Sequence, residues 1–172
     1  MRHGAIGPID VLSFDHTALA VEDIASALAV YRDLLGGELI RWKEHVERGF
    51  GVALLRYPNG AMIELIEPIG GGFVRTFLDK RGEGVHHLTF LVSDLRNATA
   101  QARAAGMRVL DESYARPRWF EAFLSPRSAH GTIVQLAQTD GATIDEIRDS
   151  PEHLERVLVS RASRRAARPK RD

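Results

Sequence analysis

Cysteine is absent from this 172-residue chain. That excludes a disulfide framework, a thiol nucleophile and any zinc site built on thiolates, so metal chemistry would have to use histidine and carboxylate. Net charge is absent too, with 23 Lys and Arg against 23 Asp and Glu. No apolar run approaches the roughly 18 residues a spanning helix needs, and the opening MRHGAIGPIDV carries no apolar signal-peptide core. The expectation is a cytoplasmic enzyme or binding protein with no membrane partner. What is present is ordinary for a folded globular chain, 44% hydrophobic and 27% charged residues, enough for one compact domain or two half-domains sharing a core.

The neutral total hides an asymmetry. Residues 160–172 hold six Lys and Arg and one Asp, leaving the remainder at about −5. This tail has no aromatic residue and is interrupted by Ala, Ser and Pro. It reads as a solvated extension, not as a nucleic-acid arm.

An internal repeat organises the rest. FDHTALAVEDIASAL, from Phe14, and VHHLTFLVSDLRNAT, from Val85, each read as an alternating strand, an acidic turn and a helix start. His16 falls on His87, Val21 on Val92 and Asp23 on Asp94, an offset of 71 residues. Further on, ALLRYPNGAMIELIEP and AFLSPRSAHGTIVQLAQ both read as strand, turn and strand, with Gly60 on Gly131 and Glu64 on Gln135 at the same offset.

Each half reads as a βαβββ module. In the first, residues 13–21 alternate, and Glu22-Asp23 caps a helix running to Leu35 with Ala27, Leu28, Tyr31 and Leu34 inward. Gly36-Gly37 stops it, and strands follow at 39–42, 51–57 and 61–66, the last two joined by Pro58-Asn59-Gly60. The second half predicts strand 86–92, a helix from 95 to 105, and strands at 108–110, 119–124 and 132–137. The expected organisation is an N-terminal extension (1–11), repeat one (12–68), a linker with a short helix (69–83), repeat two (84–138), and a C-terminal part (139–172). In that last part Ile144, Ile147, Leu154, Val157 and Leu158 have near-helical spacing and Ser150-Pro151-Glu152 makes a helix start. The fold class is therefore α+β: two tandem modules forming a cupped mixed sheet around a metal site, with a helical extension and a frayed basic end.

Side chains alternate faces along a strand, so polar residues among apolar neighbours on core strands call for a reason. His16 and Glu64 in repeat one, and His87 and Gln135 in repeat two, are two such pairs related by the repeat. Packed with approximate two-fold symmetry they converge on one cavity. Two imidazoles, a carboxylate and an amide oxygen suit a divalent transition ion such as Co, Mn, Fe, Ni or Zn, and one ligand charge leaves it an effective Lewis acid. His86 faces the other way along the strand and reads as structural or solvent-facing, while His45, His130 and His153 read as loop or helix residues.

These features resemble the vicinal oxygen chelate superfamily of glyoxalases, extradiol dioxygenases, fosfomycin-resistance proteins and methylmalonyl-CoA epimerases, over residues 12–138. DHTALAVEDIASALAVYRDLLG, IELIEP, FLDKRGEGVHHLTFLVSDL and, more loosely, LSPRSAHGTIVQL are most similar to the epimerase pattern. The resemblance implies a metal ion held by the four cavity residues and chelating two neighbouring substrate oxygens. Proton removal from the carbon between them gives an enolate whose charge the metal stabilises, and return of a proton on the other face inverts the centre. It also implies a small-molecule partner of acyl-CoA type and a homodimer.

The chain departs from the epimerase pattern in two places. The pattern commonly has a neutral residue at the position of Glu64 and Glu at that of Gln135; here they are exchanged. The exchange conserves the ligand set and lets Glu64 act from the mirrored side, with Glu47 in the place of a second acid. Ser125 stands where His is usual, while Arg127 keeps a positive charge suited to a CoA phosphate. A glyoxalase-like lyase, a ring-cleaving dioxygenase and a non-catalytic ligand-sequestering protein are the alternatives that the same scaffold offers.

Overall fold

The computed structural model describes residues 7–141 and 148–166, with side chains described up to Ser160. The elements are β1 (Val11–Ala20), α1 (Ile24–Leu28) continued by a π-helical turn (Ala29–Leu34), β2 (Glu38–His45), a 3-10 turn (Val46–Arg48), β3 (Phe50–Arg56) and β4 (Met62–Pro68). Then come α2 (Phe73–Arg81), β5 (Gly84–Val92), α3 (Leu95–Ala104), β6 (Val109–Ser113), β7 (Trp119–Leu124), β8 (Ile133–Thr139) and α4 (Pro151–Ala166). This is the α+β fold expected, and none of the described helices is long and apolar enough to cross a membrane.

Contacts divide the described residues into two compact units. One joins the chain up to Ala18 with the segment from Val85; the other joins Leu19–Gly84 with the segment from 148. In the first, the strands run β1-β5-β8-β7-β6, with β5 and β8 parallel and β8–β7 and β7–β6 antiparallel. Val92, Leu95, Ala98, Ala102, Ala122, Leu124 and Leu136 form its core, where one face of α3 meets β7 and β8. In the second unit β2, β3 and β4 form antiparallel hairpins. Ile24, Leu28, Trp42, Leu55 and Leu65 pack on one face of it, with Leu154 of α4, and Phe50, Val52, Ile66, Val74 and Leu78 on the other, under α2.

The repeat survives in atomic detail. Asp23 and Asp94 both cap a helix, accepting hydrogen bonds from the amides of Ala25 and Asn97 respectively. A side chain from the last strand of each repeat satisfies the next amide: Ile24 N donates to Glu67 at 2.8 Å and Leu95 N to Gln138 at 2.9 Å. Gly60 and Gly131 both turn with φ near +90°, at 84° and 92°. One register differs. Ala53 pairs with Leu65 and Ala122 with Leu136, so β3 and β7 correspond at an offset of 69 while β4 and β8 keep 71. The connection in repeat two is longer, and the strand before it is displaced accordingly.

The first helix departs from expectation. Its second half winds as a π-turn, with Leu35 N donating to Val30 O, and the wider turn carries Leu34 off the apolar stripe to 76% exposure. Leu28 stays buried as expected. β6 covers Val109–Ser113 and not 108–110. In the C-terminal part, Asp149 is clamped to β2 through its carboxylate on Trp42 N at 2.7 Å and its amide on Ile40 O. Ser150 then starts α4, accepting from His153 N, and Leu154 enters the core. Ile144, Ile147 and the basic end from 167 lie outside the described residues.

Candidate active site

The inner face of β1 carries His16, Ala18 and Ala20, all buried. Within the first unit, β5 places His87 and Thr89 on one face, and its parallel pairing sets Thr89 beside Gln135 on β8. The antiparallel partner β7 sets Phe123 opposite Gln135, with Glu121 two residues along on the same face. Three of the expected ligand residues are thus brought together: His16, His87 and Gln135, none more than 5% exposed. The two imidazole rings lie 5.6 Å apart, edge to face, and Phe123 closes over His87.

Each histidine is held by the residue before it. Asp15 Oδ2 lies 2.6 Å from His16 Nδ1, and His86 Nδ1 lies 2.8 Å from His87 Nδ1. Asp15 and His86 are themselves mates at the offset of 71. A partner on Nδ1 fixes the ring plane and directs Nε2 away from it, which is how metal-binding histidines are commonly oriented. His86 is therefore buried, at 6% exposure, and not solvent-facing; its structural task is to hold His87.

Gln135 is held at both ends of its amide. Thr89 Oγ1 donates to Oε1 at 2.7 Å and lies 3.0 Å from His16 Nε2. Gln135 Nε2 donates to Glu121 Oε2 at 2.9 Å. Trp119 Nε1 also donates to Glu121 Oε2, and the Arg116 guanidinium is 3.6 Å away. Thr89 is fully buried and Glu121 is 5% exposed, so this chain of hydrogen bonds is shielded from water.

The remaining candidates are placed as follows. Glu64 is in the second unit, half-buried on β4 opposite Leu54 and on the same face as Ile66. Glu47 is in the same unit, exposed on the 3-10 turn between β2 and β3. That turn ends at Gly49, whose φ of 73° and close approach to the Gly71 carbonyl admit no side chain, and Ile69 N donates to Gly49 O. Arg127 is exposed in the β7–β8 connection of the first unit, with its amide on Ser125 Oγ. Asp15, Thr89 and Glu121 were not singled out from the sequence. Glu121 was detectable, since it is a lone acid within the apolar strand WFEAFL.

The donor chemistry fits a divalent ion: two imidazoles with Nε2 directed inward and an amide presenting its oxygen, in a pocket without thiols. Residues 15–123 match the profile of the glyoxalase/bleomycin resistance protein/dioxygenase superfamily. The chain belongs to that superfamily. Among superfamily relatives, the ethylmalonyl-CoA/methylmalonyl-CoA epimerase of Cereibacter sphaeroides is 33% identical over 132 residues, which is 72% of this chain and 96% of that protein. The methylmalonyl-CoA epimerase of Mycobacterium tuberculosis superposes with a TM-score of 0.69 at 28% identity, over 90% of this chain and 98% of that one. A variant of the Streptomyces coelicolor epimerase in complex with 2-nitronate-propionyl-CoA gives 0.67 at 29% identity, over 78% and 100%. The superfamily relatives named here are isomerases.

Proposed function

We propose that this protein is a metal-dependent epimerase that inverts the α-carbon of a methylmalonyl-CoA-like thioester. The observation that carries the reading is the buried cluster of His16, His87 and Gln135, each held in orientation by a second residue. The epimerase relatives support the choice of substrate class. His16, His87 and Gln135 would hold the ion together with Glu64, whose place in the set follows from its being the repeat mate of Gln135. When bound, the ion supplies positive charge that lowers the cost of removing the proton between the substrate carboxylate and thioester.

The chain's own groups divide the remaining work. Inversion needs one acid/base group on each face of the reacting carbon. Gln135 cannot serve, because an amide neither takes nor gives a proton under these conditions. Glu64 takes that role on one face and Glu47 on the other. Arg127 offers a guanidinium to a CoA phosphate. The reading carries with it an acyl-CoA partner and a homodimer.

Solvent exchange tests it. In D2O the metal-loaded protein is expected to place deuterium on the α-carbon of methylmalonyl-CoA, and a chelator or His87→Ala is expected to abolish this. Exchange that survives both, or its absence from metal-loaded protein, contradicts the proposal.

A further inference from the structure

We infer that Glu121 is a positioning residue that makes an amide usable as a metal ligand at position 135, by fixing Gln135 with its oxygen and not its nitrogen toward Thr89 and His16. The inference rests on the reading of Gln135 as a ligand.

The two ends of a primary amide are nearly equal in size and opposite in function: the oxygen offers lone pairs, whereas the NH2 offers only protons. A half-turn of the group would present N–H bonds to a cation. Glu121 prevents that turn. Its Oε2 accepts from Gln135 Nε2 at 2.9 Å and is itself held by Trp119 Nε1 at 3.1 Å. Turning the amide would set its oxygen against a carboxylate oxygen of Glu121 and remove from that oxygen the hydrogen bond that the Thr89 hydroxyl donates. Because Glu121 and Gln135 are each 5% exposed and Thr89 is fully buried, water does not relieve the mismatch.

The other repeat supplies the control. Its mate of Gln135 is Glu64, whose two carboxylate oxygens are equivalent and need no orienting. The residues standing where Thr89 and Glu121 stand are there apolar: Ala18 by the offset of 71, and Val52, two residues from the cross-strand partner Leu54. The polar pair Thr89 and Glu121 belongs to the repeat with the amide, and its mates in the repeat with the carboxylate, Ala18 and Val52, are apolar.

A cycle of variants at 121 and 135 tests this by Co²⁺ affinity, measured by competition with a chromophoric chelator and by the Co²⁺ absorption spectrum. Glu121→Val is expected to weaken binding about 10–100-fold, the scale of lost outer-shell support. Glu121→Gln, which still offers an oxygen to Gln135 Nε2, is expected to retain most of the affinity. Gln135→Glu alone is expected to bind poorly, with two carboxylates side by side, and adding Glu121→Val is expected to restore it to within a few-fold of the parent. If Glu121→Val fails to fold, Thr89→Val takes its place, with a loss expected beside Gln135 and none in the Gln135→Glu background. Equal effects of the 121 or 89 change in both backgrounds, or parental affinity in Glu121→Val, overturn the inference while leaving Gln135 a ligand. Unchanged affinity in Gln135→Ala refutes the ligand reading itself and the inference with it.

Discussion

In repeat one, position 64 is a carboxylate, and the mates of Thr89 and Glu121 are the apolar Ala18 and Val52. In repeat two, the equivalent position 135 is an amide, and Thr89 and Glu121 occupy the corresponding places. The helix starts show the same kind of exchange, with Glu67 of repeat one and Gln138 of repeat two each accepting from the first helical amide. A duplicated module keeps its backbone plan while carboxylate and amide trade places, and the neighbours change to suit whichever group is present.

The largest effects expected are in the cores. Leu65 and Leu136 are mates, both buried, each opposite a buried alanine. Leu65→Ala and Leu136→Ala should each cost about 2–5 kcal/mol in denaturant titration. A smaller loss at Leu65 would show that α4, which adds Leu154 to that core, closes over the cavity.

The helix starts should differ by less, and in a definite order. Glu67→Ala removes a buried carboxylate acceptor and should cost about 1.5–3 kcal/mol, whereas Gln138→Ala removes a neutral, half-buried one and should cost about 0.5–1.5 kcal/mol. Equal costs would remove the distinction between charged and neutral acceptors at these two ends.

The smallest effect is on pH dependence. Hydrogen bonds from Arg103 and then Tyr114 hold the Glu112 carboxyl below its usual range, as Arg148 and then Arg56 do for the more exposed Glu38. A carboxyl depressed by folding stabilises the protein above its unfolded pKa, about 4.3 for Glu, and loses that contribution as pH falls through the folded value. Stability should therefore fall as pH drops below about 4.3 and through the lower folded value. Glu112→Gln should flatten that slope more than Glu38→Gln, because Glu112 is 22% exposed and Glu38 48%.

Much of this was legible in the sequence because it is written in local pattern. Strand alternation placed His16 and His87, the aspartates marked both helix starts, and Gly60 and Gly131 marked both turns. The offset of 69 between β3 and β7 was not legible, because Gly60 and Gly131, and Glu64 and Gln135, match at 71 and do not register a change in the length of the connection before them. Nor was the π-turn, which the apolar spacing through Leu34 concealed. Strand alternation assigns neighbours to opposite faces, so it gives Asp15 no role and leaves His86 structural or solvent-facing. Their side chains nonetheless reach the adjacent Nδ1 atoms. Glu121 is not legible from the repeat, because its mate Val52 is apolar and no polar pair marks the position.

The central claim is that His16 and His87 are ligands of one ion with oxygen donors completing its shell. X-ray absorption at the cobalt edge of the Co²⁺-loaded protein tests it directly. The account predicts the outer-shell scattering of two imidazoles, falling to one in His87→Ala. Cobalt surrounded by oxygen alone, or a spectrum that His87→Ala leaves unchanged, would contradict it.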